Sequence, residues 1–212
     1  MDPENDYINS GQKLMSLEYG LSPLEARNKK EKVAVIGVHG GRSEGYEWVY
    51  PLTKLDQSDR LTLFYRWDDR SCFLSSALKL NQEILFLLEG NPTIEKIVLL
   101  GHSYGGILLT WFIENWTSNT PIEIHTIASP LAGLDSISNS CNYDPPKQKS
   151  KNVKSVQWRT IKTLDNAFKD LSSDPQLINF KGHEVRDLPE KYKGKRLGHN
   201  WSVSYVADEI IF

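Results

Sequence analysis

The chain has 212 residues, of which 39% are hydrophobic, and a formal net charge of −2 at pH 7, which fits one globular domain with a sizeable core. Acidic and basic residues are interspersed, so the composition predicts no nucleic-acid partner. No apolar run approaches the roughly 20 residues that cross a bilayer, and the N-terminal stretch MDPENDYINSGQK lacks a signal-peptide core. We therefore expect no transmembrane segment and a cytoplasmic location, or an envelope or secreted location if a leader was removed.

Strand-like and helix-like runs alternate along the chain. We expect an N-terminal extension over residues 1–30, packing on or preceding the core, and a single domain over residues 31–212. Short apolar runs predict buried strands at 33–38, 61–65, 96–100, 122–128 and 155–161. Apolar residues at helical spacing lie in LSSALKLNQEILFLLEG, YGGILLTWFIENW and SVSYVADEIIF. This alternation predicts an α/β fold with a mostly parallel sheet of about six strands and helices on both faces.

One polar stretch interrupts the alternation. Residues 135–152, DSISNSCNYDPPKQKSKN, carry two prolines and few apolar residues, so we expect a mobile loop. Cys141 lies in this stretch, and the other cysteine, Cys72, is far away in the sequence, without metal-ligand spacing. Free thiols are the simpler interpretation, since a disulfide would require an oxidising compartment.

The sequence GHSYGG, residues 101–106, follows the strand-like KIVLL and precedes the helix-like ILLTWFIENW. A serine flanked by glycines on a strand-to-helix turn has its hydroxyl exposed over the end of the sheet. The N-terminus of the following helix also favours negative charge near this hydroxyl. We therefore interpret Ser103 as a nucleophile; the alternative is a small residue in a tight turn.

A second glycine-rich segment, GVHGGRSEG at residues 37–45, follows the first predicted core strand. Glycines let backbone amides approach a ligand closely, as an oxyanion hole requires. We expect one donor to be the amide of Gly41, or of Arg42, and the other to be the amide of Tyr104, next to the nucleophile. A phosphate-binding or structural turn is the alternative, although the spacing of a nucleotide-binding motif is absent.

The chain resembles the α/β-hydrolases, and in particular their lipase-like and esterase-like members. The resemblance rests on VHGG, on GHSYGG and on TIASPLAG at residues 126–133, and it extends over about residues 33–212. It implies a Ser, Asp or Glu, His order along the chain, with the acid after a late strand and the histidine after the last one. The antiparallel strands that often open the fold are not predicted here. The chain also has no room for a large cap domain, which leaves residues 135–152 as the one candidate lid.

The acid must be a carboxylate at the C-terminal end of a late strand, where it can orient an imidazole. Asp165 fits best, because SVQWRTIKTLDNAF is a strand that runs into a turn at this aspartate. Asp135, after the preceding strand, is the second candidate. The structural alternative for Asp165 is an exposed aspartate that caps the following turn.

Two histidines are candidates for the general base. The resemblance assigns His39 and His102, inside the glycine motifs, to packing or hydrogen bonding, and His125 lies within a predicted strand. His199, in RLGHNW, precedes the final predicted helix, which would hold its loop over the site. His183, in the charged stretch KGHEVRD, reads as part of a solvated turn but also satisfies the order rule. We favour His199.

These residues predict a serine hydrolase that cleaves carboxylic esters through an acyl-enzyme, with no metal or organic cofactor. The expected partner is a small-molecule ester or lipid-like substrate, and the oligomeric state is left open. Aromatic and apolar residues near the motifs suggest an apolar acyl pocket: Tyr46, Trp48, Tyr104 and Leu131. Amide, thioester or C–C bond hydrolysis with the same triad and a catalytically silent binding protein are the alternatives.

Overall fold

The computed structural model describes residues 6–26 and 31–210. The strands of its main sheet are β1 (Gly20–Pro23), β2 (Val33–Val38), β3 (Arg60–Arg66), β4 (Lys96–His102), β5 (Ile122–Ile127), β6 (Val153–Arg159) and β7 (His183–Asp187). They lie in the order β1-β3-β2-β4-β5-β6-β7. Every neighbouring pair is parallel except β1 and β3, which are antiparallel. The mostly parallel sheet predicted from the sequence is confirmed.

The helices are α1 (Tyr7–Met15), α2 (Tyr46–Leu55), α3 (Phe73–Glu89), α4 (Tyr104–Asn115), α5 (Asp135–Cys141) and α6 (Ser202–Glu209), with a 3-10 turn at Lys162–Leu164. A small hairpin, β8 (Lys191–Tyr192) and β9 (Lys195–Arg196), precedes α6. Within the described ranges, no helix is both long and apolar enough to cross a bilayer.

Apolar side chains fill both faces of the main sheet. On one face, α3 and α4 bury Leu80 and Phe112 in a core cluster with the sheet. On the other face, α1, α2 and α6 bury Leu14, Trp48 and Val203 in a second cluster. The central strands are apolar on both faces because helices cover them on both sides. This arrangement confirms the predicted helices on both faces.

Over the residues that the structure describes, the sheet has seven strands, more than the five strand-like runs and the total of about six predicted from the sequence. The missed strands are its two edges. β1, GLSP, contains Gly and Pro, which are rare within strands. β7, HEVRD, is charged and largely exposed. It nevertheless pairs with β6 as a strand, so the solvated turn expected around His183 is wrong. The single antiparallel strand β1 also corrects the expectation that no such strand opens the fold.

The predicted N-terminal extension contributes two packed elements. α1 lies against the start of α2: a Cβ atom on Gly11 would collide with the backbone of Gly45 and Tyr46. β1 pairs with β3 at the edge of the sheet. Residues 1–5 and 27–30 lie outside the described residues, and the domain boundary at residue 31 stays a prediction.

The polar stretch 135–152 is held in place. Its first part forms α5, and Cys141 at the end of that helix forms a disulfide with Cys72, at the N-terminus of α3. Further along, the Lys147 amide donates to the side chain of Glu114 on α4, and the Ser150 hydroxyl donates to the Glu114 carbonyl oxygen. The free thiols expected from the sequence are therefore corrected, and the first part of the expected loop is a helix.

Candidate active site

Ser103 lies on a sharp turn between β4 and α4. β4 ends at His102 and α4 begins at Tyr104, so a single residue joins the two elements. The φ of 53° and ψ of −120° at Ser103 lie in a strained region of backbone space. The Ser103 amide donates to the carbonyl oxygen of Ile127, 2.9 Å away, which anchors the turn to β5. The turn that GHSYGG predicts is present.

Close contacts explain the glycines after Ser103. A Cβ atom on Gly105 would collide with the carbonyl oxygens of Val38 and His39, at the end of β2. A Cβ atom on Gly106 would collide with the hydroxyl of Ser129. Larger residues would push α4 away from the strand ends, and the turn that carries Ser103 would move with it.

His199 and Asp165 form a hydrogen-bonded pair beside this turn. Nδ1 of His199 lies 2.9 Å from Oδ2 of Asp165. The Asp165 side chain is fully buried, whereas 15% of the His199 side chain is exposed. Since Nδ1–H donates to the carboxylate, Nε2 is left without a proton and can act as a base.

Ser103 and His199 line the same cavity, which has a volume of about 100 Å³. The structure therefore brings together the predicted nucleophile, base and acid. Within the described residues, no hydrogen bond joins the Ser103 hydroxyl to His199. In many enzymes this bond forms fully only when substrate is bound.

The carboxylate of Asp165 is surrounded by hydrogen-bond donors. Its Oδ2 also accepts from the Thr160 hydroxyl at 2.5 Å, and its Oδ1 accepts from the Ala167 amide at 2.8 Å. Gln176 fixes the backbone of Thr160, whose amide donates to the Gln176 side-chain oxygen at 2.9 Å. These contacts satisfy a buried charge, so Asp165 is not the exposed capping residue of the alternative interpretation. Thr160 and Gln176 were not predicted, because no spacing pattern connects them to the motifs.

His102 connects the nucleophile turn to the loop that carries His199. Its Nε2–H donates to the carbonyl oxygen of His199 at 3.2 Å, and the Ser202 hydroxyl donates to the same oxygen at 2.5 Å. Burial, assisted by the charge of nearby His199, holds the pKa of His102 well below its ordinary value. His102 is therefore a neutral donor that positions the loop. The Phe168 ring packs against the imidazole of His199 in a T-shaped arrangement, with 5.1 Å between ring centroids.

The two residues that carry the predicted oxyanion donors, Gly41 and Tyr104, are neighbours in the structure. A Cβ atom on Gly41 would lie 3.8 Å from Cβ of Tyr104. Tyr104 is the first residue of α4, so its amide has no partner within the helix. The Arg42 amide, the alternative donor, is engaged by Oδ2 of Asp69 at 2.5 Å. This arrangement favours Gly41 over Arg42, and the role of both amides in catalysis stays a prediction.

The alternative base and acid lie in other surroundings. His183 begins β7, where Nε2 lies 3.2 Å from the side-chain oxygen of Gln157 and Nδ1 lies 3.1 Å from the Ser155 hydroxyl. Burial lowers the pKa of His183 to about 4. Asp135 is the exposed first residue of α5. Neither residue lines the cavity that contains Ser103.

The two remaining histidines are buried structural residues. His39 accepts the Trp67 amide at its Nε2, 3.2 Å away. His125 accepts the indole N–H of Trp158 at 3.0 Å, and its Nε2 lies 3.1 Å from the carboxylate of Glu123. Burial lowers the pKa of both imidazoles. Both therefore hold strands and loops in place.

The cavity at Ser103 is polar, which corrects the apolar pocket expected from nearby aromatic residues. Trp48 and Leu131 are fully buried in the two cores. Tyr104 packs against Trp67, with ring centroids 5.0 Å apart. Of the four residues expected to form the pocket, Tyr46 lines this cavity, together with Gly40, Gly41, Arg42, Ser43, Glu44, Glu47, His102, Ser103, His199 and Asn200. Among residues 6–26 and 31–210, no group of three or more His, Cys, Asp or Glu side chains is arranged to hold a metal ion.

No protein-family model matches the sequence, and no curated protein matches it. Solved structures do match the fold. A lipase B from Aspergillus fumigatus superposes with a TM-score of 0.61 at 13% identity, covering 79% of this chain and 48% of the lipase. A thermophilic esterase from Thermogutta terrifontis, solved with propionate bound, gives a TM-score of 0.54 at 13% identity, covering 90% of this chain and 86% of the esterase.

A protein described as an α/β serine hydrolase without a lid, from Xanthomonas campestris, superposes with a TM-score of 0.53 at 13% identity. The match covers 89% of this chain and 83% of that hydrolase. At sequence identities this low, the similarity concerns the fold and not the chemistry of each chain. The common architecture is the mostly parallel sheet with helices. This chain therefore has the α/β-hydrolase fold, and residues 6–26 and 31–210 form no large cap domain.

Proposed function

We propose that this protein is a serine hydrolase that cleaves carboxylic esters through an acyl-enzyme. The observation that carries the proposal is the 2.9 Å hydrogen bond between His199 and the buried carboxylate of Asp165, with His199 in the wall of the cavity that contains Ser103. A serine on a strained strand-to-helix turn, in the same cavity as an imidazole oriented by a buried carboxylate, supports the proposal that Ser103 is the nucleophile.

In the first half-reaction, Nε2 of His199 removes the proton from the Ser103 hydroxyl as its oxygen attacks the ester carbonyl carbon. Asp165 holds the imidazole in the required tautomer and stabilises the imidazolium that forms. His199 then gives its proton to the oxygen of the leaving alcohol, and the acyl group remains on Ser103. In the second half-reaction, water attacks the acyl-enzyme with the same assistance from His199, which releases the acid and restores the serine.

The negative oxygen of each tetrahedral intermediate requires donors in place before the reaction starts. The amides of Gly41 and Tyr104 are our candidates, because Gly41 lines the same cavity as Ser103 and Tyr104 is the first residue of α4, directly after Ser103. The N-terminus of α4 adds its positive dipole end at the same place.

The substrate we propose is a small ester. The similar folds include proteins described as a lipase and as an esterase bound to propionate, which supports this reaction type for our chain. A cavity of about 100 Å³ accommodates few atoms around the reacting carbon. Amide, thioester and C–C bond hydrolysis would use the same residues, and a comparison of matched substrates distinguishes them.

For the cellular location, the Cys72–Cys141 disulfide favours the envelope or secreted alternative over the cytoplasm, because cytosolic thiols are kept reduced. Alkylation of free thiols during cell lysis, followed by mass spectrometry of the two cysteine peptides, tests this location.

Labelling with a fluorophosphonate probe tests the enzymatic proposal. We expect the probe to attach to Ser103, as found by peptide mapping, and p-nitrophenyl butyrate to be hydrolysed. Ser103→Ala should remove both labelling and turnover, while the melting temperature changes little because the substitution opens no core cavity. A folded wild-type protein that neither reacts with the probe nor cleaves the ester would support a silent binding protein instead. Wild-type turnover by Ser103→Ala would also overturn the proposal.

A further inference from the structure

The segment between β3 and α3 contacts both residues that carry the proposed oxyanion donors. The Tyr104 hydroxyl donates to the Ser71 carbonyl oxygen at 3.2 Å, and the Tyr104 ring packs against Trp67. The Asp69 carboxylate lies beside Gly41, since a Cβ atom on this glycine would be 3.9 Å from Oδ2 of Asp69. The proposed mechanism assigns no role to this segment.

The loop after β2 is attached to the same segment at two points. At the first, the Trp67 amide donates to Nε2 of His39 at 3.2 Å, and the Trp67 indole N–H donates to the His39 carbonyl oxygen at 3.0 Å. At the second, the Arg42 amide donates to Oδ2 of Asp69 at 2.5 Å. Two glycines lie between these points, and both line the cavity that contains Ser103.

The second attachment point fixes the part of the loop that its own residues leave flexible. Glycines adopt many backbone conformations, so the bonds at His39 alone do not fix the direction of the Gly41 amide. Arg42 has a φ of 56°, in the left-handed region that is uncommon for residues other than glycine. The bond from the Arg42 amide to Asp69 supports this conformation. Without it, the loop can relax towards negative φ at Arg42, and the preceding Gly41 moves with it.

Asp69 acts here as a hydrogen-bond acceptor. Its own amide donates to the carbonyl oxygen of the buried Trp67 at 3.1 Å, which holds its backbone in place. A negative charge beside the site would oppose the negative oxygen that forms during catalysis. A favourable effect of Asp69 on the reaction must therefore come from the position that it gives to the loop.

We infer that Asp69 is a positioning residue for the oxyanion hole: by accepting the Arg42 amide, it directs the Gly41 amide towards the negative oxygen of the tetrahedral intermediate. This inference rests on the proposed function. Donors that are already in place need no rearrangement as charge develops, and a displacement of about 1 Å can cost about 100-fold in rate. Asp69 should therefore affect the chemical step more than the binding of the ester.

The first test compares Asp69→Ala and Asp69→Asn by kcat and KM for p-nitrophenyl butyrate, per active site titrated with the fluorophosphonate probe. Asp69→Ala removes the acceptor, so kcat should fall by about tenfold to 100-fold with a small change in KM. Asp69→Asn keeps an acceptor oxygen and removes the charge, so kcat should stay within about threefold of the wild type. The matched control is Asp68→Ala, because Asp68 accepts from the Ser71 hydroxyl and the Arg70 amide in the same turn. It should also keep kcat within about threefold.

A second readout separates an effect on the oxyanion donors from a general loss of structure. Trifluoromethyl propyl ketone bonds to the Ser103 oxygen through its carbonyl carbon while the serine proton passes to His199, and the adduct carries the negative oxygen that the two amides would bind. In Asp69→Ala, its inhibition constant should rise by about the factor by which kcat/KM falls. Melting temperatures check that each variant is folded.

The outcomes separate this inference from the proposed function. Wild-type kcat in a folded Asp69→Ala overturns the role of Asp69 and leaves the serine hydrolase intact. An equal loss in Asp69→Asn would assign the effect to the charge, and an equal loss in Asp68→Ala would assign it to the turn as a whole; each overturns the inference. Unchanged binding of the ketone despite a lower kcat would place the effect outside the oxyanion hole, which also overturns it. A folded wild-type protein that neither cleaves the ester nor reacts with the probe overturns both proposals.

Discussion

Nδ1 of His199 lies 2.9 Å from Oδ2 of Asp165, although 34 positions separate the two residues in the chain. Asp165 follows β6 and His199 precedes α6, so the segment after β6 and the loop before the last helix together create the contact. Because the Thr160 hydroxyl and the Ala167 amide also donate to this carboxylate, its oxygens can act only as acceptors. The imidazole proton is therefore held on Nδ1.

Asp165→Asn should lower kcat for p-nitrophenyl butyrate by about 10³-fold to 10⁴-fold. With the Ala167 amide on the Asn oxygen, the new NH₂ group faces His199 and requires Nδ1 as an acceptor, which places the proton on Nε2. Steady-state kinetics measures this effect, and the control is Asp135→Asn, on the exposed second candidate. Loss of activity in Asp135→Asn, with Asp165→Asn active, would reverse the assignment of the acid.

His199→Ala should lower kcat by about 10³-fold or more, with a small change in KM, because it removes the general base of the chemical step. His183→Ala should cost less than about tenfold, since His183 bonds to Ser155 and Gln157 on β6. Melting temperatures of both variants check that each is folded. If the folded His183→Ala variant is inactive and His199→Ala cleaves the ester at the wild-type rate, the assignment of His199 as the base is wrong.

Gly40→Ala should impair both activity and stability. Its Cβ would lie 2.9 Å from Cβ of Ser103 and 3.0 Å from the His102 carbonyl oxygen, so the nucleophile turn must shift. Overpacking of this kind costs about 1–3 kcal/mol. Gly41→Ala is the matched control for stability, because its nearest neighbours would be 3.8 Å away. Thermal melting compares the two, and equal melting temperatures would contradict the expected clash.

Loss of the Cys72–Cys141 disulfide should destabilise the protein. The bond joins positions 69 residues apart, and cross-links over long loops typically contribute about 2–4 kcal/mol. The double variant Cys72→Ser, Cys141→Ser should therefore melt several degrees below the wild type. Dithiothreitol should lower the melting temperature of the wild type similarly and leave that of the double variant unchanged. A wild type that is insensitive to dithiothreitol would count against the bond.

Stability should fall as the pH decreases below neutrality. The folded pKa of His183 is lowered to about 4, whereas an exposed histidine in the unfolded chain titrates near 6.5. Between these values the unfolded chain binds a proton that the folded chain does not. The free energy of unfolding therefore becomes smaller as the pH falls from about 6.5 towards 4. We expect a lower melting temperature at pH 5 than at pH 7, and a smaller difference in His183→Gln. An unchanged difference in that variant would exclude His183 as a contributor.

The motifs at the centre of the sheet could be predicted because their constraints are local. The glycines around Ser103 leave space for backbone atoms that belong to adjacent elements, and an apolar strand precedes them. The two edge strands of the sheet could not be predicted from such local constraints. β1 contains Gly and Pro and β7 is charged, since an edge strand is stabilised by one neighbour and exposed to water on its other side.

The sequence by itself determined the parallel sheet, the helices on both faces and the sharp turn at Ser103, because apolar periodicity and glycine spacing act over a few residues. Only the tertiary structure decided that His199 meets Asp165, that Cys72 meets Cys141 and that Asp69 meets the Arg42 amide. Each of these relationships joins segments distant in sequence. Such contacts depend on how loops and helix ends pack, which no short pattern of residues encodes.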